Sequence, residues 1–473
     1  MIKHLLFLLL CVNLFSLDTN TSKTASLHDD PLFQPSRENG ITLYDALNEA
    51  IANSPKIKAT KQYIIQNNAS LDEAYGDYLP VVNFSGDAGY ENRQYKDDPK
   101  NSDNAPVTQV LKYKKTDLYL TITENLWAGG SIQDIVDEKK AMLAMANYDY
   151  RNQLEKLVLD VTQAYFDVVY GEIALKIAEK NMKNYEKILK IVTIKEQNGA
   201  ATKGDVNFIK ANVENAKTEL VLRQKTLQNA ISNYTYLLSS DEERVMPFET
   251  ASVLYHEDLN SSLKDAQQNN SKLLKQRAYI KATKFKFLST RGKFAPKVDL
   301  SINAESRNEF DKGIGQREKV NALLTFNYNL YNGGKDEAAA ARLLAKMREQ
   351  RFLADDIRRK LIYDIQVLHQ SVSSTEDSLK LTESEVLSSR EVVKSYWISF
   401  QHGTQDLQAL QLAQRNLNRA EQDYANYKKE LTLNSFQLMQ KTGVLLKFIK
   451  LRYKMSQEEM DGEFNLFLDP DEI

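Results

Sequence analysis

The chain has 473 residues, 62 basic against 64 acidic, and only 9 prolines and 17 glycines. That length can hold two or three ordinary domains, and the near-zero charge balance gives no ground for a nucleic-acid partner. The one cysteine, Cys11, lies in an N-terminal apolar stretch, so the rest of the chain is cysteine-free, as suits an oxidising or extracytoplasmic setting.

The first residues read as an export signal. Lys3 and His4 form a short basic head, Leu5 to Phe15 an apolar stretch, Ser16 a small residue at the cleavage point, and Asp18 to Lys23 an abrupt polar run. A buried helix start is the alternative, and the polar run argues against it. Leu10 precedes Cys11 where lipid attachment wants a small residue, so Cys11 reads as an ordinary residue of the signal. The expected division is a signal over 1–16, an N-terminal extension over 17–40, two repeats over 41–245 and 246–450, and a C-terminal acidic tail over 451–473. No later segment offers the ~18 consecutive apolar residues of a membrane helix. An exported chain without one is either soluble outside the cytoplasm or a β-barrel.

The first repeat opens its regular structure with two alternating segments. Val82, Phe84, Gly86, Ala88 and Tyr90 share one face, opposite Asn83, Ser85, Asp87, Gly89, Glu91 and Arg93. Leu118, Leu120 and Ile122 then stand opposite Tyr119, Thr121 and Thr123. From Ser131 to Asn198 there is no proline, and apolar or small residues recur at three and four: Leu154, Leu157, Val161, Ala164, Val168, Gly171, Leu175, Ala178, Met182, Tyr185, Leu189 and Val192. That 3.5-residue period predicts a coiled coil. At about 1.5 Å per residue it spans roughly 100 Å, too long for a compact domain. Gly199 marks the stop, and Val213, Ala216, Leu220, Leu227, Ala230, Tyr234 and Leu237 carry a returning helix.

The second repeat follows the same plan. Val298, Leu300, Ile302 and Ala304 oppose Asp299, Ser301, Asn303 and Glu305. Val320, Ala322, Leu324, Phe326, Tyr328 and Leu330 oppose Asn321, Thr325, Asn327 and Asn329, with Leu323 the exception. A heptad helix from Leu361 to Tyr396 ends at His402-Gly403, and a second helix returns through Leu410, Leu417, Ala420, Tyr424, Tyr427 and Leu431. Leu126-Trp127-Ala128-Gly129-Gly130 recurs as Leu330-Tyr331-Asn332-Gly333-Gly334, 204 residues on, and Gly199 recurs as Gly403 at the same offset. Such an internal repeat fixes the architecture before any single residue is interpreted.

Each strand segment has the length of a transmembrane strand, ~9–11 residues. A sandwich with one buried face shows the same alternation. Full charges on the polar faces, Asp87, Glu91, Asp299 and Glu305 among them, favour a water-filled lumen instead. Four strands are too few for a closed barrel, which starts at about eight, and open edges cannot face lipid. Strands that span a membrane must then be pooled from several chains.

Together these features resemble the TolC family of outer-membrane efflux and secretion channels over about residues 41 to 450. Leu43 to Pro55 looks like that family's first helix, Tyr78-Leu79-Pro80-Val81-Val82 like its approach to the first strand, and the aromatic-x-Gly-Gly exits, with Gly129, Gly130, Gly333 and Gly334, like its strand-to-helix joints. The resemblance implies an α+β membrane protein: a homotrimer pooling four strands per chain into a 12-stranded barrel in the outer membrane of a Gram-negative bacterium. Below the barrel, a coiled-coil helical tunnel would cross the periplasm. Segments 41–77, 258–292 and 440–465 would complete the outer helices and an equatorial belt, and the loops Lys96 to Lys115 and Phe310 to Gln316 would face outside the cell. It also implies outer-membrane lipid, a periplasmic adaptor protein contacting the turns at Gly199 and Gly403, and an inner-membrane ABC or RND pump as partners, with no cofactor. The periplasmic entrance would fall on Asp205 in the first half and on Phe400, Gln405, Asp406, Ala409 and Leu412 in the second. The family's second-half tip aspartates would stand at Ala409 and Leu412, its tyrosine and arginine at Phe400 and Gln405. The carboxylate ring is thus thinner here, and a hydrophobic or hydrogen-bonded constriction is expected. Tyr328 to Gly334 leans toward the secretion branch.

No enzyme signature competes with this. The histidines at 4, 28, 256, 369 and 402 do not cluster with Asp, Glu or Cys at metal spacing, and no nucleophile elbow or phosphate loop appears. An exported coiled-coil scaffold is the other alternative; it explains the heptads but leaves the charged-faced strands and the signal without a role.

Overall fold

The computed structural model describes residues 27, 30–34, 41–96, 108–239, 258–310 and 315–453. The expected signal, Cys11, His4, His28, His256, both strand-hairpin tips and the tail from 454 lie outside the described residues.

Among the described residues four strands and nine helices follow in chain order: α1 Leu43–Asn53, α2 Pro55–Gly76, β1 Val81–Lys96, β2 Thr108–Trp127, α3 Ser131–Gln197, α4 Lys203–Leu238, α5 Leu259–Asn269, α6 Ser271–Gly292, β3 Lys297–Phe310, β4 Gly315–Asn327, α7 Lys335–Gln401, α8 Leu407–Thr442 and α9 Leu445–Tyr453. A 3-10 turn, Pro31–Phe33, precedes them. Element lengths agree between the halves: α1 and α5 have 11 residues, α2 and α6 have 22, α3 and α7 have 67, and α4 and α8 have 36. Local chemistry sets the short helices' starts. Thr42 and Asp45 form a capping box on α1, and Ser54 with Pro55 starts α2.

The strands form one antiparallel sheet in the order β1-β2-β3-β4. They are longer than expected, at 16, 20, 14 and 13 residues. β2 begins at Thr108, inside the segment expected as a loop, because the backbone ladder continues past the stretch where apolar residues alternate. β4 stops earlier than expected, at Asn327: the Asn329 side chain accepts from the Tyr331 amide (3.1 Å), a local turn that ends the strand. Antiparallel order puts Val81, Trp127, Lys297 and Asn327, the strand ends next to α2, α3, α6 and α7, at one end of the sheet and Lys96, Thr108, Phe310 and Gly315 at the other.

Two compact units divide the chain. One comprises Asn39–Val168, Gln228–Glu376 and Lys428–Ile473, and the other Met1–Glu38, Val169–Leu227 and Asp377–Tyr427. The first contains the sheet and a helical core in which Tyr165 meets Phe166 and Tyr234 edge-on at 5.6 and 6.3 Å. The second packs Tyr185, Ile188, Val192, Ile209, Val213, Ala216, Phe400 and Leu410 together. Among the described residues no helix is long and apolar enough to cross a membrane.

Candidate functional site

Both long helices stop in the same way. The Ala200 amide donates to the Lys195 carbonyl (2.7 Å) and Gly199 to Glu196 (2.9 Å); in the second turn Thr404 donates to Ser399 (3.0 Å) and Gly403 to Phe400 (3.2 Å). Gly199 and Gly403 have φ of 73° and 75°, the left-handed position that glycine adopts without steric cost.

The return helices start differently. At α4 the Thr202 amide and hydroxyl donate to Asp205 Oδ2 (2.9 and 2.8 Å), and the Asp205 amide donates back to Thr202 Oγ1 (3.1 Å). This is a capping box. The bonds from Thr202 hold the Asp205 carboxyl below the usual carboxylate range. At α8, Asp406 caps alone, its Oδ1 accepting from the amides of Gln408 and Ala409, the latter at 3.1 Å. At the 204-residue offset Asp406 corresponds to Thr202, and Ala409 to Asp205. Each turn therefore keeps one carboxylate, moved by three residues, and each is engaged by its own backbone.

The remaining residues expected at the entrance divide by burial. Phe400 is 5% exposed within the apolar cluster, with the Lys195 ammonium 4.0 Å from its ring centre and donating to its carbonyl. Gln405 and Ala409 are half-buried, and Leu412 is exposed. Leu412 has a counterpart in Phe208, and Ile398 in Ile194; all four are about half exposed. Each turn thus presents an apolar pair beside its capped helix start.

A polar assembly that the heptads did not announce lies in the same unit. Glu421 on α8 is buried, paired with Lys180 of α3 (2.7 Å) and Arg390 of α7 (3.0 Å). Arg390 also pairs with Asp30 of the N-terminal segment. That segment is held at further points. The Leu27 amide donates to Glu383 (3.0 Å), Lys176 donates to the Gln34 carbonyl (2.6 Å), and Phe33 meets Tyr424 edge-on at 4.7 Å. Burial, with Glu383 and Asp30 nearby, pushes the Tyr424 phenol up to about 12. Nearer the turns, buried Gln411 and Gln414 bond Asn212 (3.2 Å) and Asn181 (3.4 Å). Residues 27–34 and these polar pairs lack any periodic signal.

On the sheet, odd-numbered positions share the polar face. The register sets Asp117 opposite both Asp87 and Arg307, and Tyr119 opposite Glu305. Asp117 is fully buried between Lys115 (3.2 Å) and Arg307 (3.3 Å); Lys115 reaches Glu91 (3.5 Å) and Arg307 reaches Glu305 (3.0 Å). Asp299 accepts from Asn125 (2.8 Å) and pairs with Lys297 (3.1 Å). Asp87 is exposed. Glu91 and Glu305 thus join one network, which Asp117, Lys115 and Arg307 complete. Lys115 and Asp117 were missed because they precede the stretch where apolar alternation begins. The even face is apolar and open: Phe84 is 72% and Val320 76% exposed. Among the described residues no group of three His, Cys, Asp or Glu side chains converges as a metal site.

The chain combines an open, two-faced sheet with two 67-residue helices, and comparison with known proteins assigns it. The chain matches the family described as outer membrane efflux protein over residues 46–237 and 262–444. It belongs to that family. It is accordingly an outer-membrane channel component of an export system and not an enzyme. The alkaline protease secretion protein AprF of Pseudomonas aeruginosa is 20% identical over 304 residues, 60% of this chain and 62% of that protein, so the match spans under two thirds of that relative. The outer membrane protein TolC of Vibrio cholerae is 20% identical over 417 residues, covering 85% and 91% of the two chains. Among solved structures, CusC superposes with a TM-score of 0.74 at 15% identity, over 87% of this chain and 96% of that one. The TolC-family resemblance read from the strands and joints therefore holds.

Proposed function

We propose that three copies of this outer-membrane efflux protein pool their sheets into one 12-stranded barrel and their helices into a periplasmic tunnel, a passive conduit for substrates delivered by an inner-membrane ABC or RND pump through a periplasmic adaptor. The observation that carries this reading is the sheet itself. Its edge strands β1 and β4 are unpaired among the described residues, and its even face exposes a band of large apolar side chains. Water disfavours the apolar band, and lipid accepts that band only once the edges are joined. The charged odd face then lines an aqueous lumen. Nothing in such a conduit binds substrate covalently or hydrolyses it, so the driving energy comes from the pump.

The two turns are the candidate periplasmic entrance, and the glycine stops at 199 and 403 the candidate adaptor contact. Type I secretion and efflux use the same conduit; the joint sequence Tyr328 to Gly334 and the likeness to a protease secretion protein lean toward secretion. The detergent-extracted protein is expected to run as a heat-modifiable trimer and to give stepwise conductance in planar bilayers. A protein that stays monomeric and soluble without detergent sinks the proposal.

A further inference from the structure

Two glycines of this chain are explained by contacts, and their two counterparts are not. Where β2 leads into α3, a Cβ on Gly129 would lie 2.4 Å from the Gly292 carbonyl oxygen and 2.5 Å from Ala295 Cβ. At the end of α6, a Cβ on Gly292 would lie 2.9 Å from Ser131 Cβ and 3.1 Å from the Gly129 oxygen. The two backbones touch because β2 and β3 are paired strands, and no side chain fits between them.

The counterpart of Gly129, 204 residues on, is Gly333; that of Gly292, 216 residues back, is Gly76. At either one an added Cβ meets nothing within 4 Å. Gly333 has φ of 62°, which by itself favours glycine. Gly76 ends α2, is not among the positive-φ residues and sits in a helix, where glycine is disfavoured. Nothing among the described residues requires it. Around these two glycines large side chains lie bare, Leu330 at 84% and Tyr331 at 80% exposure, with Leu79 and Tyr75 also exposed. Gly76 precedes β1 and Gly333 follows β4, the two edge strands.

We propose that the missing partner of each glycine is the other one on a second copy of this chain, so that the contact between copies repeats the β2–β3 joint in register. The partner's Gly76 seats against Gly333, as Gly292 seats against Gly129. Within the chain Leu120 stands opposite Ala304, Ile122 opposite Ile302 and Asp117 opposite Arg307. Carried through the two offsets, β4 pairs antiparallel with the neighbour's β1. Leu324 then stands opposite the partner's Ala88, Phe326 opposite the partner's Gly86, and Asn321 opposite the partner's Glu91. The offsets are both even, so apolar positions meet apolar and polar meet polar, as a two-faced barrel wall requires. The inference rests on the ring closure proposed above and adds its register and its glycine seat.

Two variants test it. Ala88→Cys with Leu324→Cys in one chain is expected to yield disulfide-linked dimers and trimers on non-reducing gels, whereas Phe84→Cys with Leu324→Cys, four residues out of register, is not. Trimers in which the second pair links and the first does not, or in which neither links, overturn the register while leaving the channel standing. Absence of any oligomer overturns both. Gly76→Leu is expected to leave the helix content of the chain intact and to weaken trimer association by about tenfold or more, the effect of overfilling a packed contact. A Gly76→Leu trimer as stable as the parent overturns the glycine seat.

Discussion

Asp205 and Asp406 show how one chemical requirement can be met at two positions. The first amides of a helix need an acceptor, and a side chain at the cap or three residues inside can supply it. Replacing Asp205 or Asp406 by alanine should each cost about 1 kcal/mol locally, read as faster amide exchange in peptides spanning 198–210 or 402–414. For Asp205 the sign with pH follows from its depressed carboxyl. Its contribution is complete above the unfolded value of about 4 and is lost as pH falls through the lower folded one. Protection at the start of α4, taken as the exchange rate relative to the intrinsic rate at each pH, should therefore fall as pH drops below about 4 in the parent and change less in Asp205→Asn. The sequence shows the carboxylates but not their work. Aligned by offset, Ala409 looks like a lost aspartate, because an offset compares positions whereas a cap needs only reach.

Elements were legible where their period was. The helical hairpins follow from three-four spacing and two glycine stops, and the observed boundaries at 197 and 401 fall within two residues of those glycines. Strand ends were not legible, because alternation records which residues face an apolar medium while the hydrogen-bond ladder continues beyond it through Lys112 and Lys114. The least legible element is the segment around Pro31–Phe33, whose contacts join residues more than 140 positions apart. Those contacts make it a strap across α3, α7 and α8. Arg390→Met removes the link between Asp30 and buried Glu421, while Lys180 still neutralises Glu421, so the loss falls on the strap rather than on the helices beneath it. The variant should be cut by protease near residue 34 at least tenfold faster than the parent. An unchanged cutting rate would mean that Leu27, Phe33 and Lys176 suffice to hold the strap.

At the scale of the whole molecule, we propose that the conduit opens by an untwisting of inner helices against outer ones, a shift between two coiled-coil packings. Linking the two turns should prevent this. Cysteines at Asp205 and Gln405, once cross-linked, are expected to abolish export and to restore it on reduction; full transport with the link intact would move the entrance elsewhere. The other end of the sheet carries a different lesson. The counterpart offset is 216 residues before the strand hairpins and 204 after them, so the first hairpin is longer by twelve. All of that difference falls between joints that keep identical spacing on the helix side. In a ring of three chains, tall hairpins would alternate with low ones around the outer rim. The rim is then the place where this protein can gain or lose sequence, and with it whatever an antibody or phage would recognise, without disturbing the tunnel beneath.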